Sequence, residues 1–327
     1  MASSRNNHST DALPAACEAS ISGQVRTGQH LVVALSGGID SVSLLHALRV
    51  LSRSGQFHLS ALHVHHGLSG NADKWADFCG DLCARWEVPL TVVRVVVERD
   101  TADGLEAAAR RVRHAAFARA EGDVIALAHH RGDQAETLLF NLLRGTGLAG
   151  AAAMASRQRR LLRPLLRISR PDIETYAHAH GLDWIEDESN RDTGFSRNFL
   201  RHDILAPISA RFPAADKNLA AAAGRFAEAA SLLDELAVID LAESGPDFPI
   251  PVSLLARLSE PRARNVLRYL LARNAVRIPS EARLIELLRQ LLAAGPDRHP
   301  RVHFGATAIV RCRGQIQLES AAPVFLG

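Results

Sequence analysis

The sequence predicts an α/β protein: a doubly wound parallel sheet, then a helical linker, then a small α+β domain toward the C-terminal end. Three observations predict it. Short apolar or β-branched runs at 31–35, 59–65, 90–97 and 123–128 are separated by amphipathic stretches, the alternation that builds a parallel sheet covered on both faces. An Ala-rich amphipathic stretch at 214–242 ends at Gly245, Pro246, Pro249 and Pro251, a boundary signal. Beyond it, helical patterns at 260–274 and 280–294 precede residues 301–319, which alternate as short strands with Gly305 and Gly314 at turns.

In chain order, residues 1–12 are polar and lack the charged-then-apolar pattern of a secretion signal. The stretch 1–27 reads as a flexible tail. The strand 31–35 runs directly into Ser36-Gly37-Gly38 and a helix whose apolar face is Val42, Leu44, Leu45, Leu48 and Leu51. Ala72, Trp75, Phe78, Cys79, Leu82 and Cys83 trace a second helix, and Leu105, Ala109, Val112, Ala116 and Phe117 a third. A further helix, 133–144, closes at Arg144-Gly145-Thr146-Gly147, and the Ala-rich 149–155 fits a short helix or a loop. Ser169 before Pro171 starts a helix that ends near Gly181. Residues 186–196 are polar and turn-rich, and 197–206 look helical.

Composition narrows the functional classes. A chain of 327 residues suits two domains. With 47% hydrophobic and 22% charged residues it is globular rather than disordered, and no apolar run approaches the roughly 20 residues that span a bilayer. Cys17, Cys79, Cys83 and Cys312 are too few and scattered for a disulfide framework, so reduced thiols and a cytoplasmic setting are expected. Cys79 and Cys83, four apart on one helix, read as core packing. The net charge of +3 is unevenly spread: from residue 251 onward stand twelve Arg against five acidic residues. Such a basic C-terminal quarter expects a polyanionic partner.

The chemistry concentrates at the first strand–helix junction. A strand, a glycine turn and a helix start aim backbone N–H groups and the helix dipole at one point, a seat for phosphate. Gly37 and Gly38 permit close approach, Ser36 and Ser41 offer hydroxyls, and Asp40 can hold a divalent cation against phosphates. No Gly-x-x-x-x-Gly-Lys-Ser/Thr is present, so this is not a Walker loop. Ser-Gly-Gly-Ile-Asp-Ser after a strand instead resembles the loop of the PP-loop ATP pyrophosphatases, which cleave ATP between its α- and β-phosphates. A second constellation, residues 128–137, lies where a strand ends and a helix begins. Asp133 and Glu136 there share one helix face near its start, where negative charge is favoured.

Further stretches make the resemblance specific: His63-Val64-His65-His66-Gly67-Leu68, the run from Glu106 to Arg113, Arg144-Gly145-Thr146-Gly147, Asp187-Glu188-Ser189-Asn190, and Arg197-Asn198-Phe199-Leu200-Arg201. In this order and spacing the chain resembles the tRNA(Ile)-lysidine synthetase family over roughly 28–320, in a short form without the last C-terminal domain of longer members. It departs from the family's usual pattern at His65, His114, Ala128 and Gly132, where Asn, Tyr, Gly and a second Asp are common. The last departure leaves Asp133 as the acid facing metal or substrate.

The resemblance implies a Rossmann-like PP-loop ATPase domain at 28–212, a helical linker at 213–245 and a basic tRNA-binding domain at 246–327. It implies that ATP adenylates the wobble cytidine of the isoleucine tRNA with a CAU anticodon. L-lysine then attacks to give lysidine, releasing AMP and pyrophosphate overall. Ser36, Gly37, Gly38, Ile39, Asp40 and Ser41 are expected on ATP, with Mg²⁺ on Asp40. Arg113 is expected as a phosphate or cytosine clamp, and Asp133 and Glu136 on the lysine amine or the metal. His65 and His66 would line the adenine pocket, and Arg144, Arg197 and Arg201 would contact tRNA or substrate. No membrane association is expected, and a homodimer is left open. The alternative is a PP-loop tRNA thiolase, but the chain has no Cys-x-x-Cys to carry sulfur or a cluster. A non-catalytic nucleotide sensor would leave Asp40 and the acids at 133 and 136 idle.

Overall fold

The computed structural model describes residues 12–98, 104–188, 192, 194, 196–277, 279–295 and 298–320. Two compact units result, residues 1–227 and 228–327. In the first, α1 (Ala12–Ile21) precedes β1 (His30–Ala34), α2 (Ile39–Ser52), β2 (His58–His65), α3 (Ala72–Arg85) and β3 (Leu90–Arg94). Then come α4 (Leu105–Arg119), β4 (Val124–Ala126), α5 (Arg131–Leu143), α6 (Leu148–Ala151), β5 (Arg157–Gln158), β6 (Leu161–Leu162) and α7 (Arg170–Ala179). A short helix α8 (Ser196–Phe199) widens into a π-helical turn (Leu200–Leu205), followed by α9 (Ala206–Arg211) and α10 (Ala215–Leu241), which begins in the first unit and ends in the second.

The sheet order is β3-β2-β1-β4-β6-β5. Leu31 of β1 registers with Leu59 of β2 and Val124 of β4, all in parallel, and only the β5–β6 pair is antiparallel. Side chains of β1 alternate as a two-residue period requires. Leu31 and Val33 join a core with Leu44, Leu45 and Leu48 of α2, Leu82 of α3 and Tyr176 of α7. Val32 faces the other way, with Leu62, Ile125 and Phe117 of α4. Helices thus cover both faces, and the first strand–helix junction opens at the carboxyl edge, beside the strand flanked by β2 and β4.

The flexible tail expected over 1–27 is corrected in its second half. Residues 12–21 form α1, and Leu13, Cys17 and Ile21 are buried in the α2 and α7 core. Their spacing of four places all three on one helix stripe, and burying that stripe fixes the segment. Residues 1–11, and Ser189 and Asn190, lie outside the described residues, as does the side chain of Glu106.

In the second unit, β7 (Ile250–Pro251), α11 (Val252–Arg257), α12 (Glu260–Arg273) and α13 (Glu281–Ala293) precede β8 (Arg301–Phe304), β9 (Thr307–Cys312) and β10 (Gln315–Ser320). The sheet is antiparallel in the order β7-β10-β9-β8. Leu254, Leu267, Leu271, Leu288, Ile309 and Ile316 form its core. Among the described residues no helix is long and apolar enough to cross a membrane.

Candidate functional site

The turn after β1 takes its shape from three serine contacts and one distant strap. The Ser41 hydroxyl donates to the Gly38 carbonyl at 2.9 Å, and the Ser36 amide donates to the Ser41 hydroxyl at 3.2 Å. The Ser36 and Ser41 hydroxyls lie 3.1 Å apart. Gly37 sits at φ +90°, where a side chain is strained. Residues from beyond α7 close over it: the Ile185 amide donates to the Gly37 carbonyl at 2.9 Å. A Cβ on Gly37 would meet Ile185 Cδ1 at 2.8 Å and Cys79 Sγ at 3.4 Å. Under the same strand end, the His63 ring donates to the Leu35 carbonyl at 2.9 Å.

Asp40, in the first turn of α2, accepts from Arg170 at 2.8 Å through Oδ2. Its Oδ1 is buried with no hydrogen-bond partner. Burial pushes the carboxyl above its ordinary range against the pull of His130, Arg170 and Arg201, with Asp133 adding to the rise. A buried, unsatisfied carboxylate oxygen at a helix start fits a small divalent cation. No cluster of three or more His, Cys, Asp or Glu side chains able to hold a metal occurs among the described residues. A cation here would therefore share its shell with phosphates, the usual habit of Mg²⁺.

Two acids of α5 approach the same place. His130 caps α5: its ring accepts from the Gly132 amide at 3.0 Å, while Asp133 Oδ2 accepts from the His130 amide at 2.8 Å. Asp133 Oδ1 and both Glu136 oxygens then accept from Arg201, at 3.1, 2.6 and 3.0 Å. The two carboxyls are pushed apart. Burial lifts Asp133, but His130, His129 and Arg201 outweigh it and hold the group below the usual carboxylate range. Burial lifts Glu136 and prevails over Arg201. Neighbouring acids with opposed shifts are a recurring mark of functional sites.

Of the residues singled out from sequence, Asp40, Asp133, Glu136 and Arg201 converge, with Arg201 in electrostatic reach of all three acids. Arg113 lies near His66 and His129, which it helps to keep neutral. His66 is pulled down to about 4, by burial first and then by Arg113. His65 Nε2 sits 3.2 Å from Asp73 and 3.3 Å from Arg94, so its ring belongs to a polar cluster at the β2–β3 edge. Arg144 is exposed at the end of α5, its guanidinium 5.2 Å from the Phe140 ring centre. Arg197 is half-buried on α8 and engages other groups. Neither is tied by any described contact to Asp40, Asp133 or Glu136.

Sequence reasoning missed Arg170 and Ile185. Arg170 follows a readable helix cap at Ser169, but nothing local shows that it reaches Asp40, 130 residues earlier. Ile185 reads as an ordinary loop aliphatic.

Comparison with known proteins fits this geometry. A family model described as a PP-loop domain matches residues 12–208, and one described as the TilS substrate binding domain matches residues 251–317. The chain is 45% identical over 302 residues to the tRNA(Ile)-lysidine synthase of Nitrosomonas europaea, covering 90% of this chain and 66% of that one. It is 46% identical to that of Aromatoleum aromaticum, covering 91% of this chain and 71% of the other. With that of Escherichia coli O157:H7 it is 40% identical over 90% of this chain and 70% of the other. The chain thus spans about two thirds of the length of these curated relatives. Among solved structures, a U34-tRNA thiolase from Methanococcus maripaludis superposes with a TM-score of 0.55 at 16% identity, covering 66% of this chain and 78% of that one. That likeness concerns the fold alone.

Proposed function

The chain belongs to the tRNA(Ile)-lysidine synthase family, and from that premise we propose that it ligates L-lysine to the wobble cytidine of the CAU-anticodon isoleucine tRNA. ATP is the nucleotide substrate and the cytidine is adenylated first, so that lysine attack yields lysidine and the overall products include AMP and pyrophosphate. The observation that carries this reading is the β1–α2 loop, where Gly37 at positive φ, two serine hydroxyls and the half-satisfied Asp40 surround a helix start.

The roles follow from the chemistry of each group. The loop of residues 36–41 binds the triphosphate, and Asp40, with its unpartnered carboxylate oxygen, would hold Mg²⁺, which would neutralise phosphate charge. The acids of α5 hold the lysine ammonium. Arg201 already occupies that place as a cation, so the pair is built for positive charge. Arg113 clamps a phosphate or the cytosine, a task its planar fork suits. Both steps redistribute charge on phosphates, so catalysis rests on positioning and electrostatics. The basic C-terminal unit supplies RNA contacts, and the expected cytoplasmic setting suits four free thiols.

The thiolase alternative is disfavoured by the thiols themselves. Cys17, Cys79 and Cys83 are buried, and burial pushes them up to about 12, 12 and 11. They stay protonated near neutrality, when a sulfur carrier needs a thiolate. The test is to incubate the protein with ATP, labelled lysine and the CAU-anticodon tRNA, following AMP and label on RNA. Lysine-dependent AMP release with labelled tRNA is expected. AMP release that ignores lysine and incorporates sulfur would overturn the reading, as would nucleotide binding with no AMP formed.

A further inference from the structure

A second group of nitrogens gathers at the carboxyl edge of the first sheet, on the face that α4 covers. Strand direction puts them there. His66 follows β2, Arg163 follows β6 and His129 lies three residues past β4, and these strands run parallel through β1. Between β3 and β4 the chain returns along α4, whose Phe117 packs on Val32, Leu62 and Ile125. The first half of α4, carrying Arg110 and Arg113 three apart on one helix face, therefore starts at that same edge.

The groups sense one another. Burial pulls His129 down, Asp133 works against it, and Arg163, Arg113 and Arg110 pull it down further. Burial and then Arg110 lower Arg163. Three buried nitrogens here have no hydrogen-bond partner: His66 Nδ1, His129 Nδ1 and Arg163 Nε. Arg163 is only 3% exposed, and its Nη1 donates to the Ala155 carbonyl at 2.7 Å. A buried polar nitrogen left unpaired is costly, more so if charged, so such atoms mark a place where something binds. The demand for a ligand comes from these three residues, since Arg110 and Arg113 already engage other groups of the chain.

We infer that His66, His129, Arg163, Arg110 and Arg113 form a phosphate-binding pocket separate from the β1–α2 loop. Phosphate fits better than carboxylate. A carboxylate brings one charge and two oxygens, whereas a phosphate presents more oxygens to a cluster that combines ring nitrogens with the unpartnered Arg163 Nε. The histidines add N–H donors without adding charge. Two sources share this chemistry: the phosphodiester of an RNA strand whose target base is turned out of its stack into the site, and a phosphate of the nucleotide. Only the choice of these two sources rests on the proposed reaction.

The test uses the full chain with Arg110→Gln, Arg163→Gln and Arg110→Lys. ATP affinity is measured by calorimetry. Affinity for a CAU-anticodon stem-loop RNA is measured by fluorescence anisotropy at several salt concentrations. If RNA supplies the phosphate, each Gln variant loses about ten-fold in RNA affinity, its salt slope becomes shallower by about one, and ATP binding stays within about two-fold. If the nucleotide supplies it, ATP affinity falls about ten-fold and RNA affinity holds. In either case Arg110→Lys recovers part of the loss, because it keeps the charge. Folded variants that bind both ligands like wild type overturn the pocket. So does a uniform loss of both that tracks a lowered melting temperature. Should Arg163→Gln fail to fold, Arg110→Gln decides alone. A wild-type protein that releases no AMP with lysine and tRNA would sink the proposed reaction while leaving both binding readouts intact.

Discussion

Replacing Arg201 by Ala should destabilise the first unit by removing the counter-charge of two buried acids. Its Nε and Nη2 meet Glu136 at 2.6 and 3.0 Å, and Nη2 meets Asp133 at 3.1 Å. The Glu136 and Asp133 side chains are 6% and 16% exposed, against 38% for Arg201. Removing one partner of a buried pair costs about 3–5 kcal/mol. Water reaches the exposed part of the guanidinium, which lowers the figure to about 2–3 kcal/mol. For a unit of this size that corresponds to a fall of about 5–10 °C in Tm, read by calorimetry near pH 7.5. The sign with pH is fixed. Glu136 already titrates above its ordinary value because of burial, and without Arg201 it rises further. A carboxyl whose folded value exceeds its unfolded one destabilises the fold wherever it is ionised, and that cost fades as pH falls through the folded value. The deficit should therefore shrink toward pH 5, and adding Glu136→Gln to Arg201→Ala should recover at least half of it at neutral pH. A Tm within about 2 °C of wild type, or a double variant no better than the single one, would refute the claim that this pairing holds the acids in place.

Three further outcomes are expected. Gly37→Ala, forced to φ +90° against Ile185 at 2.8 Å, should weaken ATP binding by about ten-fold or more in calorimetry; unaltered affinity would show that the turn tolerates a side chain. Asp40→Asn should cut AMP release by about a hundred-fold or more while RNA affinity stays within about two-fold, and a full-rate variant would remove Asp40 from the phosphates. His46, whose ring bonds to the Tyr176 hydroxyl at 2.8 Å, is pulled down to about 4 by burial and then by His180. Its unfolded form binds protons from about pH 6.5, so the fold loses stability as pH falls from there toward 4, and His46→Gln should flatten the Tm profile over that window. An equally steep profile in the variant would mean other groups govern it.

The sheet was legible because its strands are short apolar runs with no competing period. The runs read at 31–35, 59–65 and 90–97 became His30–Ala34, His58–His65 and Leu90–Arg94. The hairpin of Arg157–Gln158 with Leu161–Leu162 escaped notice, since two-residue strands carry no periodicity and exist only because Ala126 registers with Leu162. Helix α1 was hidden for a related reason: its stripe of Leu13, Cys17 and Ile21 is too sparse to read without knowing the surface that buries it. At the site, the loop and the acids at 133 and 136 announce themselves locally, through glycines and a helix start. The pairing of Arg201 with those acids does not, because a π-helical turn brings that side chain 65 residues back to Glu136. Contacts across that separation depend on the whole packing.

The backbone bond between Ile185 and Gly37 has a practical corollary for anyone trimming this chain. A fragment that stopped after β4 would retain the strand, the turn and the helix that bear the diagnostic residues, yet it would lack the clasp that moulds them. The smallest piece that keeps this turn clasped must therefore extend past residue 185, well beyond the signature that draws attention to it.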